Sequence, residues 1–125
     1  MIRGKIEGGL HPKIGIEIRG KIVSQKFSAL VDTGFDSYIA LHHQTAAKLG
    51  LGIDHYTWVR YAKGKRVKES VCPASVLWHG KWKETEVILS NDEEPAIGTG
   101  LLQGSVVTMD FVKNKLAIAE PRRKR

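Results

Sequence analysis

The sequence is poor in cysteine and has no long apolar run. Its only cysteine, Cys72, rules out an internal disulfide framework, and a chain without disulfides is typical of the reducing cytoplasm. No apolar stretch approaches the roughly 20 residues that a membrane helix needs, so we expect no membrane partner. The N-terminal stretch MIRGKIEGGLHPK lacks the apolar centre of a secretory signal, and this also predicts a cytoplasmic location.

The basic charge of the chain is concentrated at its C-terminus. The length of 125 residues, with 42% hydrophobic and 26% charged residues, suits one globular domain with a modest core. The net charge is +7, but the final RRKR leaves residues 1–121 with 16 basic and 13 acidic residues, a net charge of +3. We therefore predict one domain over residues 1–120 and a basic tail over residues 121–125. A solvated tail is the simplest interpretation, and nucleic-acid binding through it is a weaker alternative.

Short apolar segments separated by turn residues run through the whole chain. The isoleucines of residues 14–22 share one parity and have charged residues between them, which predicts a half-buried strand. Lys63-Gly64 and His79-Gly80 are typical of hairpin turns. We predict strands over residues 14–22, 27–31, 38–41, 56–62, 67–77, 82–89, 106–111 and 116–119, and short helices over residues 44–49 and 100–103. The pattern indicates a mainly β domain with one or two short helices.

One motif stands out for its chemistry: the apolar run Ala29-Leu30-Val31 leads directly into Asp32-Thr33-Gly34. A carboxylate at the end of a buried strand is costly unless it is hydrogen-bonded. The threonine adds a hydroxyl, and the glycine allows close approach of a ligand or a second chain. The alternative is an Asx turn, in which Asp32 only bonds its own backbone.

Further segments give this motif a context. ALVDTGFDSYIAL (residues 29–41) is followed by the Lys63-Gly64 hairpin, by AIGTGLL (residues 96–102) and by VTMDF (residues 107–111). In order and spacing, residues 14–118 resemble the retropepsin-like aspartic proteases, the family of retroviral proteases and their small bacterial relatives. The resemblance implies a closed β-barrel protomer, aspartic endopeptidase activity on a peptide or protein substrate, and no metal or organic cofactor.

An internal echo of the motif bears on the number of chains in the active protein. The sequence from Val31 to Gly34 recurs as Ile97-Gly98-Thr99-Gly100, with glycine in place of the aspartate. Aspartic-protease chemistry needs two carboxyls about 3 Å apart that share one proton. Because the chain has one aspartate in this frame, we expect a homodimer in which each copy contributes Asp32.

The resemblance also implies roles for individual residues. The catalytic residues would be Asp32, with Thr33 and Gly34 organising it, and Thr33 would bond across the twofold axis. The hairpin from Tyr61 to Arg66 resembles the flap that closes over substrate, although an ordinary surface hairpin explains it equally well. Substrate contact is assigned to Asp36, Tyr61, Ala62, Lys63, Gly64 and Ile97. Viral relatives pair the acid corresponding to Asp36 with an arginine, but this chain has Thr99 there, so Asp36 needs another partner or faces solvent.

Two other classes of function stay open. A non-catalytic peptide-binding or dimerisation module can keep this fold without turnover. A basic nucleic-acid-binding protein could use the C-terminal tail, but the low charge of the body disfavours it. Trp58, Trp78 and Trp82 could stack on bases, yet their apolar neighbours on strands predict that they fill the core. We expect His42-His43 to be a polar loop and not a metal site.

Overall fold

The computed structural model describes residues 1–61 and 64–121, and these residues form ten strands and two short helices. The strands are β1 (Ile2–Glu7), β2 (His11–Arg19), β3 (Ser24–Val31), β4 (Ile39–His42), β5 (His55–Arg60), β6 (Arg66–Trp78), β7 (Lys81–Ser90), β8 (Ala96–Ile97), β9 (Val106–Asp110) and β10 (Lys115–Ala119). The helices are α1 (His43–Lys48) and α2 (Thr99–Leu102). The predicted mainly β structure with two short helices is confirmed. None of the helices described here is long and apolar enough to cross a membrane.

The strands form one sheet that closes partly on itself. Its order is β5-β6-β7-β4-β8-β3-β2-β1-β10-β9, and β6 also pairs with β2 through Ile18 opposite Val76. This additional pairing joins six strands, from β2 through β3, β8, β4 and β7 to β6, into a ring. The apolar side chains that point into the ring form the main core, and strand β5 is left as one edge of the sheet.

The alternating isoleucines of β2 behave as predicted at three of their four positions. Ile14, Ile16 and Ile18 are buried, and β2 pairs with β3 along its length. Ile22 was wrongly placed in this strand: β2 ends at Arg19, and Ile22 is 70% exposed. The reason is a turn, in which the Gly20 N–H donates to the Val23 carbonyl at 3.0 Å and reverses the chain before Ile22 can pair.

The His79-Gly80 turn between β6 and β7 has positive φ at both residues, 51° and 78°, as a tight two-residue hairpin requires.

The three tryptophans do not share one environment. Trp78, at the end of β6, is buried as predicted. Trp58 and Trp82 are 59% and 39% exposed, so the expectation that they fill the core is wrong. Both lie on strand faces that point away from the core.

Strand β8 determines how the Asp-Thr-Gly segment is held. It pairs in parallel with β3, with Val31 opposite Ile97, and antiparallel with β4, with Ile39 opposite Ile97. The chain therefore leaves β3, makes a turn over residues 32–38, and returns as β4 on the other side of β8. Neither β8 nor β1 was predicted: β8 has only two residues, and in β1 the middle inward position of the alternation is Gly4, so only Ile2 and Ile6 mark its apolar face.

Candidate active site

Asp32 lies where β3 ends, and backbone hydrogen bonds fix both its main chain and its carboxylate. The Asp32 N–H donates to the Ile97 carbonyl at 2.9 Å, and Asp32 Oδ1 accepts from the Gly34 N–H at 2.9 Å. The second bond is the Asx turn considered from the sequence. A carboxylate has two oxygens, so this turn orients the group without using Oδ2. The side chain is half-buried, and it can therefore reach a bound molecule while its direction stays fixed.

The two echoed segments lie side by side. The turn after β8 is bonded to the turn after β3 through three backbone N–H groups: Gly98 donates to Tyr38 at 3.0 Å, Thr99 to Phe35 at 2.8 Å, and Gly100 to Ser37 at 3.0 Å. The Thr99 hydroxyl adds a longer bond to the Phe35 carbonyl at 3.4 Å. The repeated sequence thus corresponds to two neighbouring turns that start from parallel strands.

Gly98 stands in the second turn where Asp32 stands in the first. A Cβ atom at this position would overlap the carbonyl oxygens of Phe35 and Ser37, so the backbone packs here at a distance that only glycine allows. The second turn therefore lacks a carboxylate, and it also lacks the space for any side chain. Within one chain, Asp32 can find no symmetric partner there.

Ile97 contributes to the site region through its main chain. Its side chain is fully buried between strands β3 and β4 and belongs to the main core. The assignment of Ile97 to substrate contact stays a prediction, and in the described chain its side chain is not exposed. Ile97 acts on the site through its carbonyl, which accepts the bond from Asp32.

Asp36 has the partner that the sequence left open. Its Oδ1 accepts from the backbone N–H of Arg60, at the end of β5, at 3.0 Å. Next to it, the rings of Phe35 and Tyr61 stack with centroids 5.8 Å apart and planes 13° from parallel. The root of the β5–β6 hairpin is thus attached to the Asp32 turn at two adjacent points, one polar and one aromatic.

Tyr61 sits in an environment that keeps its phenol neutral. Burial raises the pKa of Tyr61 to about 12, and the nearby carboxylates of Glu69 and Asp36 act in the same direction. Burial also raises the pKa of Glu69 above its ordinary value. At neutral pH Tyr61 is therefore a hydrogen-bond donor at the base of the hairpin, beside the half-buried acid Glu69.

The tip of the hairpin contains the predicted glycine turn. Gly64 has φ +75°, its N–H donates to the Tyr61 carbonyl at 3.1 Å, and Tyr61 N–H donates to the Lys65 carbonyl at 2.9 Å. Ala62 and Lys63, also assigned to substrate contact, lie outside the described residues, as do residues 122–125 of the predicted tail. The assignments of Gly64, Tyr61 and Asp36 stay predictions. In the described structure, Asp36 is bonded to Arg60, and Gly64 is bonded to Tyr61.

Other acidic and metal-ligating residues have local roles. Asp54 bonds its neighbour His55 at 3.1 Å, and Asp110 caps the turn before β10 by accepting from Val112 and Lys113. His42 Nδ1 accepts from the Gln44 N–H and so caps α1. In residues 1–61 and 64–121 no group of three or more His, Cys, Asp or Glu side chains is placed to hold a metal ion. Cys72 is buried, and burial raises the pKa of its thiol.

Comparison with known proteins gives structural but not sequence relatives. No protein-family model and no curated protein matches the sequence. Among solved structures, a retropepsin-like aspartic protease from Rickettsia conorii is 26% identical, with a TM-score of 0.60 over 95% of this chain and 89% of that one. EIAV protease complexed with the inhibitor HBY-793 is 17% identical, with a TM-score of 0.57 over 78% of this chain and 89% of that one. The chain has the fold of the retropepsin-like aspartic proteases.

Proposed function

We propose that this protein is an aspartic endopeptidase that acts as a homodimer, with Asp32 of each copy forming the catalytic pair. The observation that carries the proposal is the geometry of Asp32: a half-buried carboxylate at a strand end, oriented by the Gly34 N–H and held against β8 by the bond to Ile97. The two solved structures compared above are aspartic proteases, which supports the same chemistry for this chain.

The need for a second copy follows from what one chain contains. Two carboxyls about 3 Å apart must share a proton, since both cannot ionise at that distance. The equivalent position in the second turn is Gly98, where no side chain fits. In a twofold dimer, Asp32 and its symmetry mate would meet at the axis. Thr33 is exposed in the single chain, which leaves its hydroxyl accessible to the second copy.

The reaction needs one carboxyl of the pair ionised and the other protonated. The ionised carboxylate takes a proton from a water molecule, whose oxygen attacks the peptide carbonyl carbon, while the protonated carboxyl donates its proton to the carbonyl oxygen. The tetrahedral intermediate then breaks its C–N bond. The amine leaves with a proton from the carboxyl that first accepted one, and the hydroxyl proton of the intermediate returns to the other. The Tyr61–Arg66 hairpin would close over the substrate and exclude bulk water.

The test is digestion of a diverse peptide pool by the wild-type protein and by Asp32→Asn, with the cleavage sites read by mass spectrometry. Asparagine keeps an Oδ1 that accepts from Gly34, so the variant should fold normally, but it cannot exchange the proton that catalysis requires. We expect reproducible cleavage by the wild type and none by Asp32→Asn. Equal cleavage by both would remove Asp32 from the mechanism. Peptide retention without cleavage by either protein would favour the non-catalytic module.

A further inference from the structure

The β5–β6 hairpin has two faces with different surroundings. On the inner face, Val59 and Val71 are buried, and Tyr61 packs against Phe35. The other face points to solvent. Its register places Tyr56 opposite Ser70, Trp58 opposite Lys68, and Arg60 opposite Arg66. We call the residues Tyr56, Trp58, Arg60, Arg66 and Lys68 the outer face of the hairpin.

The aromatic residues of the outer face lie outside both hydrophobic clusters of the described chain. Tyr56 is 58% exposed and Trp58 is 59% exposed, and both lie on β5, an edge of the sheet. Neighbouring large aromatic side chains that stay exposed are typical of an interaction surface. A cation lies beside each ring: Lys68 Nζ is 5.7 Å from the Tyr56 ring centroid, and Arg66 Cζ is 5.9 Å from a Trp58 ring centroid.

The charge of the outer face has one sign. The three cross-strand pairs of this face contain Arg60, Arg66 and Lys68, and none of the three pairs contains an acidic residue. Two carboxylates lie close to the outer face, and both are hydrogen-bonded elsewhere: Asp36 accepts from the Arg60 backbone N–H, and Asp54, just before β5, is bonded to His55. Within residues 1–61 and 64–121, none of the three cations forms a salt bridge, so their charges can attract an anionic partner.

We propose that the outer face of the hairpin binds single-stranded nucleic acid, with bases stacking on Tyr56 and Trp58 and phosphates contacting Arg60, Arg66 and Lys68. The combination of exposed rings with a basic strip is the one that single-strand binding uses, because every base has a flat face and every nucleotide a negative charge. The two rings lie two residues apart on one strand, about 7 Å by strand geometry, so separate bases can stack on them. This site is independent of the proposed peptidase activity.

Two other anionic partners fit the outer face less well. An acidic peptide would satisfy the cations, but it would leave two exposed rings without a flat partner. An anionic membrane would need a continuous apolar surface, whereas here each ring has a cation beside it. The site also differs from the tail considered from the sequence, since it is built on paired strands within the domain.

The experiment measures binding of the full-length protein to a fluorescently labelled oligothymidylate by anisotropy, at several salt concentrations. Trp58→Ala should weaken binding at least about five-fold, because a stacked base contributes roughly 1–3 kcal/mol. Trp58→Phe keeps a flat ring and should retain most of the affinity. The double variant Arg66→Gln/Lys68→Gln should reduce the slope of log K against log salt by about 1.4, or about 0.7 for each lost phosphate contact.

Trp82 offers a matched control. It is also exposed, and Arg19 Cζ lies 4.2 Å from its ring centroid, but it belongs to β7 and not to the hairpin. Trp82→Ala should leave binding unchanged, and circular dichroism should show the same fold for all variants. A full-length variant with glutamine at Arg122, Arg123, Lys124 and Arg125 tests the tail, and its binding should stay sensitive to Trp58→Ala.

Several results would overturn the proposal. Equal binding by wild type and Trp58→Ala would remove stacking, and equal affinity for duplex DNA would indicate general electrostatic attraction. Loss of all binding in the tail variant would assign the contact to residues 122–125. Binding only to polyglutamate, or only to vesicles containing phosphatidylserine, would replace nucleic acid by an acidic protein or a membrane. Since none of these assays measures cleavage, their outcome is separate from that of the peptidase proposal.

Discussion

The carboxylate of Asp36 accepts a hydrogen bond from the backbone N–H of Arg60, 24 residues further along the chain, at 3.0 Å. This bond joins the turn that carries Asp32 to the root of the β5–β6 hairpin. The stacked rings of Phe35 and Tyr61 lie beside it. The root of the hairpin and the Asp32 turn are therefore in direct contact, and one polar part of that contact can be removed by substitution.

Removing that contact should impair cleavage more than stability. Asp36→Ala deletes the acceptor, and because the residue is exposed, the free energy of unfolding should fall by about 1 kcal/mol or less. The hairpin root would lose its polar attachment, so we expect a lower kcat/KM. Asp36→Asn is the matched control, since its amide oxygen can still accept from Arg60. Thermal unfolding and peptide cleavage measure the two effects. If Asn and Ala variants were equally impaired, the hydrogen bond would not be the cause.

Mixing experiments test whether one site is built from two chains. Wild type and Asp32→Asn are combined at constant total protein, with subunit exchange confirmed by tagged chains. If both Asp32 carboxyls are required, activity follows the square of the wild-type fraction, and an equal mixture keeps about one quarter. A monomeric enzyme, or a dimer with independent sites, would keep about half. A linear dependence with exchange demonstrated would contradict the shared pair.

The hairpin tip should be sensitive to backbone conformation at Gly64. A Cβ atom added at this position would meet no atom of the described residues within 4 Å, adjacent residues aside, but φ is +75°, which a β-branched residue adopts only with strain. Gly64→Val should therefore cost roughly 1–2 kcal/mol and slow turnover before the domain unfolds. Gly64→Asn tolerates positive φ and should stay close to wild type. Steady-state kinetics of both variants measure the difference, and unchanged kinetics in Gly64→Val would make the hairpin an ordinary surface loop.

The raised pKa of Tyr61 predicts a loss of stability at high pH. The folded chain holds the phenol proton up to about pH 12, whereas the unfolded chain releases it near the ordinary value of 10.0. Between these values the unfolded state binds fewer protons, so the free energy of unfolding falls as the pH rises. The stabilising effect of the neutral phenol is fully present below pH 10. Denaturant unfolding of wild type and Tyr61→Phe between pH 10 and pH 12 measures this change in the free energy of unfolding. The same pH dependence in both proteins would show that Tyr61 is not its cause.

Local patterns in the sequence were enough to predict much of the fold and the place of Asp32 at a strand end. The apolar run into Asp-Thr-Gly gave the position of Asp32, and the glycine turns gave both hairpins. Long-range register was not predictable in the same way. The bond from Arg60 to Asp36 depends on how β5 lies against the Asp32 turn, and the exposure of Trp58 depends on which face of β5 meets the core. Ile22 was misplaced because a turn at Gly20 overrides the alternation that precedes it.

Gly98 also limits how a chain of this kind could change. Substitution of this glycine by aspartate cannot give the second turn a usable carboxylate, because the carbonyls of Phe35 and Ser37 occupy the space of the new side chain. If the catalytic pair is shared as proposed, a single-chain enzyme would have to come from tandem fusion of two complete copies, each with its own Asp32. A monomeric form of the enzyme would then need the whole domain twice in one chain, because each Asp32 comes with its own copy of the fold.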